Sequence, residues 1–282
     1  MIKPQRLKKG DKVAIVSLSA GTLGEKWAIH RYYIAKERLE NDFGLKVVVM
    51  ENTLKGIKYL DEHPEARAKD LMDAFKDDSI KAVFNAIGGD DTIRLLPYID
   101  FEVIRNHPKV FTGYSDTTIN HLMMYKAGLV SYYGLAVLTT LSEYVKMDDY
   151  SLEMMRKTLF EPVQQLEIYK APYYYDDDDE MIRWDENNIN ALRQYHKDEN
   201  GYEVIQGNSV VEGELLVEYE LKIDLGLFLD RNYQRKIEFE SLRINDKTIY
   251  ERTDRIEFFN LKSIEKYLIT EFRENEDSAK AI

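Results

Sequence analysis

The sequence contains no cysteine, which excludes disulfides, thiolate nucleophiles and cysteine-ligated metals. Histidine is scarce: His30, His63, His107, His121 and His196 are the only five, and none stands at a metal-ligand spacing. No apolar run approaches the ~20 residues that cross a bilayer. The first ten residues lack the apolar stretch of a secretory signal. Positive charge is in deficit, with 39 Lys and Arg against 51 Asp and Glu and a net charge of -12. That balance offers no nucleic-acid or anionic-membrane surface. These absences predict a cytoplasmic protein with neither a metal nor a cofactor and with no nucleic-acid or membrane partner.

What is present is the composition of a folded protein, 44% hydrophobic and 32% charged. Val13-Ala-Ile-Val-Ser-Leu18 is a β-branched run that stops at Ser19-Ala-Gly21 and reads as a buried strand. Residues 25–41 have helical periodicity and close at Gly44. Residues 46–50 form a second strand, and 64–75 a helix that opens on Pro64, where the missing N–H costs nothing. A third strand, 81–87, runs into Gly88-Gly89. A fourth, 109–113, runs into Tyr114-Ser115-Asp116 and a helix reaching about Ala127. Residues 130–133 offer a fifth strand and 150–160 another helix.

Strand alternating with helix implies an α/β domain whose parallel sheet is covered on both faces. Ligands of such sheets bind at the C-terminal ends of the strands. The loops there hold residues 17–21, 88–92 and 113–117, which is where chemistry is expected. From about Glu161 the character changes. Residues 173–180 (Tyr-Tyr-Tyr-Asp-Asp-Asp-Asp-Glu) read as a linker or surface loop, and 207–216 alternate as a strand does. A domain boundary is expected near residues 160–180, and no internal repeat is present.

Gly113-Tyr114-Ser115-Asp116-Thr117 is the sharpest motif. An apolar strand delivers a serine at a turn that opens directly into a helix. Such a turn projects the hydroxyl from the sheet edge and aims helix N–H groups at an anion formed beside it. The motif shares the logic of the nucleophile elbow but lacks its second glycine. The bland alternative, which spacing alone favours, is that Ser115 or Asp116 merely caps the helix. Gly88-Gly89 is a second turn of this kind, whose free N–H groups can supply half of an oxyanion hole; its alternative is an ordinary turn before an acidic first helical turn. His121 follows Ser115 by six residues on one helix, too far round to serve it as a base. The aspartate run 176–179 lacks the alternating ligands of a calcium loop.

Five segments occur in order: Leu7-Lys-Lys-Gly-Asp-Lys-Val-Ala-Ile15, Arg67-Ala-Lys-Asp-Leu-Met-Asp-Ala-Phe75, Ala86-Ile-Gly-Gly89, Leu95-Leu-Pro-Tyr-Ile-Asp100 and Gly113-Tyr-Ser-Asp116. With Met181-Ile-Arg-Trp184 and Val211-Glu-Gly-Glu-Leu215, the chain resembles the LD-carboxypeptidase family of serine peptidases over roughly residues 5–216, and its microcin-C-resistance branch most of all. The resemblance implies a flavodoxin-like domain over residues 1–165 and a smaller β-rich C-terminal domain over 166–282, with the active site between them, usually in a homodimer. Ser115 is then the nucleophile, and the backbone N–H groups of Gly89 and Asp116 hold the oxyanion. Trp184 stacks on an aromatic part of the substrate. The implied reaction is metal-free hydrolysis of an amide beside a free carboxylate, in a cell-wall peptide or a peptidyl-nucleotide, through an acyl-enzyme.

After Leu216 the resemblance stops. The family completes its triad with a Glu and a His from the C-terminal domain, whereas this chain has no histidine after His196 and no glycine after Gly226. Glu240 is the one glutamate open to argument, and no residue is assigned as the base. Three readings of residues 217–282 stand open: a divergent domain with the base supplied from elsewhere, such as a dimer partner; a binding module without turnover; or a frameshift near codon 217.

Overall fold

The computed structural model describes residues 1–162, 169–174 and 184–199, and the backbone of two strands at 241–244 and 247–251. The chain divides into two compact units, Met1–Gly213 and Glu214–Ile282. In the second unit the described elements are β8 (Ser241–Ile244) and β9 (Lys247–Glu251), paired as an antiparallel hairpin. The strand expected over 207–216, the aspartate run, Glu240 and the alternatives for the tail's side chains lie outside the described residues.

The first unit is built on a five-stranded sheet. Its strands are β1 (Lys12–Val16), β2 (Lys46–Val49), β3 (Ile80–Asn85), β4 (Val110–Gly113) and β5 (Tyr132–Tyr133), in spatial order β2-β1-β3-β4-β5 with every pair parallel. That is the flavodoxin-like order expected from the sequence. Because successive side chains of a strand point to opposite faces, the strands feed two cores. Val13, Ile15, Ala82 and Phe84 pack on one face with α1 (Ile29–Asn41), through Tyr32, Ala35 and Leu39. Ala14, Val16, Val83 and Phe111 pack on the other with α3 (Pro64–Lys76), α4 (Phe101–Asn106) and α5 (Thr118–Lys126), through Leu71, Phe75, Ile104 and Met124. No helix of the described residues is long and apolar enough to cross a membrane.

Several boundaries differ from expectation for local reasons. The first helix starts at Ile29 rather than Glu25, after a 3-10 turn at Thr22–Gly24. Glu25 is engaged elsewhere, its Oε1 accepting the Ile57 N–H at 2.7 Å. The helix expected over 150–160 is α6 (Asp149–Met155) followed by a widened π turn at Arg156–Phe160. Two six-residue helices, α2 (Ile57–Glu62) and α4, are too short to show periodicity and are new. The linker expected over 173–180 opens with a short strand, β6 (Tyr173–Tyr174), which pairs antiparallel with β7 (His196–Lys197) further along the chain.

Candidate active site

The three loops singled out in the sequence meet at the C-terminal edge of the sheet. β4 ends at Gly113, and Ser115 opens a 3-10 turn, Ser115–Thr117, that runs into α5. Ser115 has φ of +61°, a left-handed conformation costing a residue with a Cβ roughly 1–2 kcal/mol. Its N–H donates to the Tyr133 hydroxyl at 3.0 Å, and its carbonyl accepts the Thr118 hydroxyl at 2.6 Å. Against it lies the turn after β3. A Cβ placed on Gly88 would stand 2.8 Å from Ser115 Oγ and 3.1 Å from the Asp116 backbone nitrogen. Only glycine lets the two turns pack this closely. Gly89, at φ +156°, faces the first loop, where a Cβ would run into the Ser19 side chain.

Capping, the alternative favoured by spacing, is corrected here. Neither Tyr114 nor Thr117, the residues preceding the 3-10 turn and α5, makes a side-chain cap bond. The Asp116 carboxylate instead reaches the neighbouring loop, where its Oδ2 accepts the N–H of Asp91 at 3.0 Å and of Thr92 at 2.9 Å. Those donors open the 3-10 helix Thr92–Tyr98. The same oxygen accepts the Ser19 hydroxyl at 2.5 Å. Ser19 Oγ is 3.3 Å from Asp91 Oδ1, so its single proton goes to the nearer Asp116.

The two carboxyls around Ser19 are tuned apart. Burial acts to raise Asp91, but the bidentate bonds from Arg67, at 2.7 and 2.9 Å, outweigh it with help from Arg94 and hold the group below the usual carboxylate range. Burial pushes the Asp116 carboxyl up, against the hydrogen bonds from Ser19 and Thr92. Arg67, fully buried on α3, also donates to the Leu18 and Ser19 carbonyls at 3.3 and 3.1 Å.

All five histidines are occupied away from Ser115. His121 packs on Phe111 and Tyr133, and its Nε2 lies 3.0 Å from the Gly113 carbonyl. A carbonyl only accepts, so Nε2 carries the proton and Nδ1 accepts from Ser131 Oγ at 2.7 Å. Burial lowers its pKa to about 4, keeping it neutral. His30 meets the Tyr144 hydroxyl at 2.7 Å, His63 meets Glu65 and His107 meets Asp78. The His196 ring lies beside Tyr174. None of the five bonds to Ser115 among the described residues.

Residues 13–134 match the model of LD-carboxypeptidase N-terminal domains. This domain belongs to the LD-carboxypeptidase family. Among related proteins, the microcin C7 self-immunity protein MccF of Escherichia coli is 30% identical over 190 residues, covering 67% of this chain and 54% of its own. A probable murein peptide carboxypeptidase of Bacillus subtilis is 34% identical over 148 residues, 52% of this chain and 43% of its own. The crystal structure of an MccF-like protein from Streptococcus pneumoniae in complex with AMP superposes with a TM-score of 0.59 at 35% identity, covering 67% of this chain and 55% of that one. The chain thus spans about half the length of the curated relatives it matches.

Trp184, which the LD-carboxypeptidase resemblance assigns to substrate stacking, is half-buried beside α1. Its ring meets Trp27 edge-on, with centroids 5.2 Å apart. The fully buried Arg31 guanidinium lies 5.0 Å from the Trp184 ring and 5.1 Å from Tyr144. Ser19, Tyr133 and Arg67 were not singled out as site residues from the sequence. Ser19 lies in the loop of residues 17–21, one of the three where chemistry is expected. Tyr133 is legible in the sequence only as part of a strand, and Arg67 as part of a helix and the first residue of a segment that carries the family resemblance.

Proposed function

We propose that this protein is a serine-type carboxypeptidase or amidase that hydrolyses an amide beside a free carboxylate. Its substrate is a small peptide of the cell wall, cut at an L,D-bond, or a peptidyl-nucleotide of the microcin C type. Ser115 Oγ attacks the carbonyl carbon and loses its proton to a base. The amine leaves with a proton, and water then releases the acyl group from Ser115. The backbone N–H groups of Gly89 and Asp116 hold the oxyanion, and Trp184 stacks on an aromatic portion of the substrate. In this reading the N-terminal domain ends near residue 165, residues 166–282 form the linker and C-terminal domain, and the protein works in the cytoplasm as a homodimer.

The observation that carries the reading is Ser115 held at φ +61° on a strand-to-helix turn, in contact with Gly88. Strained backbone at a serine on a sheet's C-terminal edge is characteristic of a nucleophile. The relative solved with AMP supports a substrate carrying a nucleotide, and the murein peptide carboxypeptidase supports the cell-wall alternative. The test is release of D-alanine from a muropeptide tetrapeptide and cleavage of a peptidyl-nucleotide, wild type beside Ser115→Ala. Turnover by wild type that disappears in the variant is expected.

A second reading has its own observation. With every histidine engaged elsewhere, the fold also suits a homologue that binds the same ligands without cleaving them. Tight ligand binding by wild type, with no turnover and unchanged by Ser115→Ala, would favour it.

A further inference from the structure

We infer that the Asp116 side chain, with Ser19, is a positioning latch that holds the Gly88–Gly89 turn in register with Ser115. This rests on the reading of Ser115 as nucleophile and of Gly89 N–H as oxyanion donor, and it gives the carboxylate of Asp116 a part separate from that of its own N–H.

The geometry carries the inference. Asp116 is the residue after the nucleophile, so its Cα moves with the elbow. Its Oδ2 nevertheless accepts two consecutive N–H groups, of Asp91 and Thr92, from the loop that contains Gly88 and Gly89. The third donor is Ser19, 2% exposed, from the loop after β1. Ser19 sits directly beneath Gly89, where a Cβ would meet its side chain, and the Ala20 N–H donates to the Gly88 carbonyl at 3.2 Å. One carboxylate oxygen therefore ties together the loops that follow β1, β3 and β4. Two N–H donors aimed at one developing oxyanion are useful only at a fixed separation, because a donor displaced by about 1 Å loses most of its effect. The nearby Gly88 contacts show how little slack exists, since Ser115 Oγ and Asp116 N both lie within 3.1 Å of the position a Cβ would take.

The test compares Asp116→Ala with Asp116→Asn in the full chain. Alanine removes the acceptor, whereas asparagine keeps one oxygen of the same shape. Amide hydrogen exchange is read at Asp91 and Thr92, with the amides of β1 and β3 as internal controls, and kcat and KM are read on whichever substrate the wild type turns over. Asp116→Ala is expected to speed exchange at those two amides at least tenfold while the strand controls stay unchanged. It is also expected to lower kcat on the order of a hundredfold with KM within about threefold, and Asp116→Asn should recover most of both. Unchanged exchange at Asp91 and Thr92 in Asp116→Ala overturns the latch, even if the wild type proves inert on every acyl substrate and the hydrolase reading falls. Accelerated exchange with kcat intact, or with KM alone altered, overturns its positioning role.

Discussion

Ser115 occupies a conformation that glycine would adopt without strain, at φ +61°, and keeps a Cβ there because the hydroxyl needs one. That tension is measurable. Ser115→Gly and Ser115→Ala both delete the hydroxyl, but only alanine retains the left-handed Cβ, so Ser115→Gly is expected to be the more stable by about 1 kcal/mol. Thermal melts of the pair check it, and equal melting points would mean that the turn stores no strain. A few residues on, His121 makes a second prediction. Its folded pKa of about 4 lies below the ordinary 6.5 because burial disfavours the imidazolium. The unfolded chain therefore binds this proton more readily, and the stability linked to His121 is fully present above pH 6.5 and lost as pH falls toward 4. The size is on the order of 3 kcal/mol. Urea unfolding should show wild type losing about 3 kcal/mol relative to His121→Gln as pH falls from 6.5 to 4. Parallel curves over that range would show that the ring is not neutral and buried as described.

At the scale of elements, α3 matters to the site through one side chain. Arg67 is fully buried and binds Asp91 through both terminal nitrogens, fixing the base of the loop whose N–H groups Asp116 holds. Removing one partner of such a pair strands a buried charge, so Arg67→Ala is expected to cost roughly 3–5 kcal/mol. Arg67→Lys should recover little, since an ammonium cannot reproduce the fork. Chemical denaturation of the three proteins decides it, and a loss below about 1 kcal/mol would show that Asp91 finds other partners. The same helix illustrates what the sequence can disclose. Its span was legible because Pro64 opens it and apolar residues recur at helical spacing, and the first, third and fourth strands were legible as apolar runs ending at serine or glycine. The latch was not legible. Asp116 and Ser19 are 97 residues apart, and no local pattern reports that the carboxylate leaves its own helix to bond with Asp91, Thr92 and Ser19. Local statistics favoured a cap for the same reason. Capping describes what an aspartate does near a helix start when nothing else lies within reach, and here another loop does.

At the scale of the whole molecule, the open chemical question is where the Ser115 proton goes. Ser115, the proposed nucleophile, and the turn facing it come from residues 88–116, while the five histidines at 30, 63, 107, 121 and 196 are bonded or stacked elsewhere among the described residues. We propose that, if one of these histidines serves as the base, a partner copy brings it to Ser115 from a different neighbourhood. Activity then belongs to the dimer. Specific activity is expected to fall on dilution in step with the dimer fraction measured by sedimentation, and kcat/KM for the dimer to fall along an acid limb near pH 6.5, the ordinary pKa of histidine. Activity that stays constant while the protein sediments as a monomer would rule out a partner's base. An acid limb near pH 4 to 5 would replace it with a carboxylate from the same chain, because a group with that pKa stays ionised where histidine has already taken up its proton.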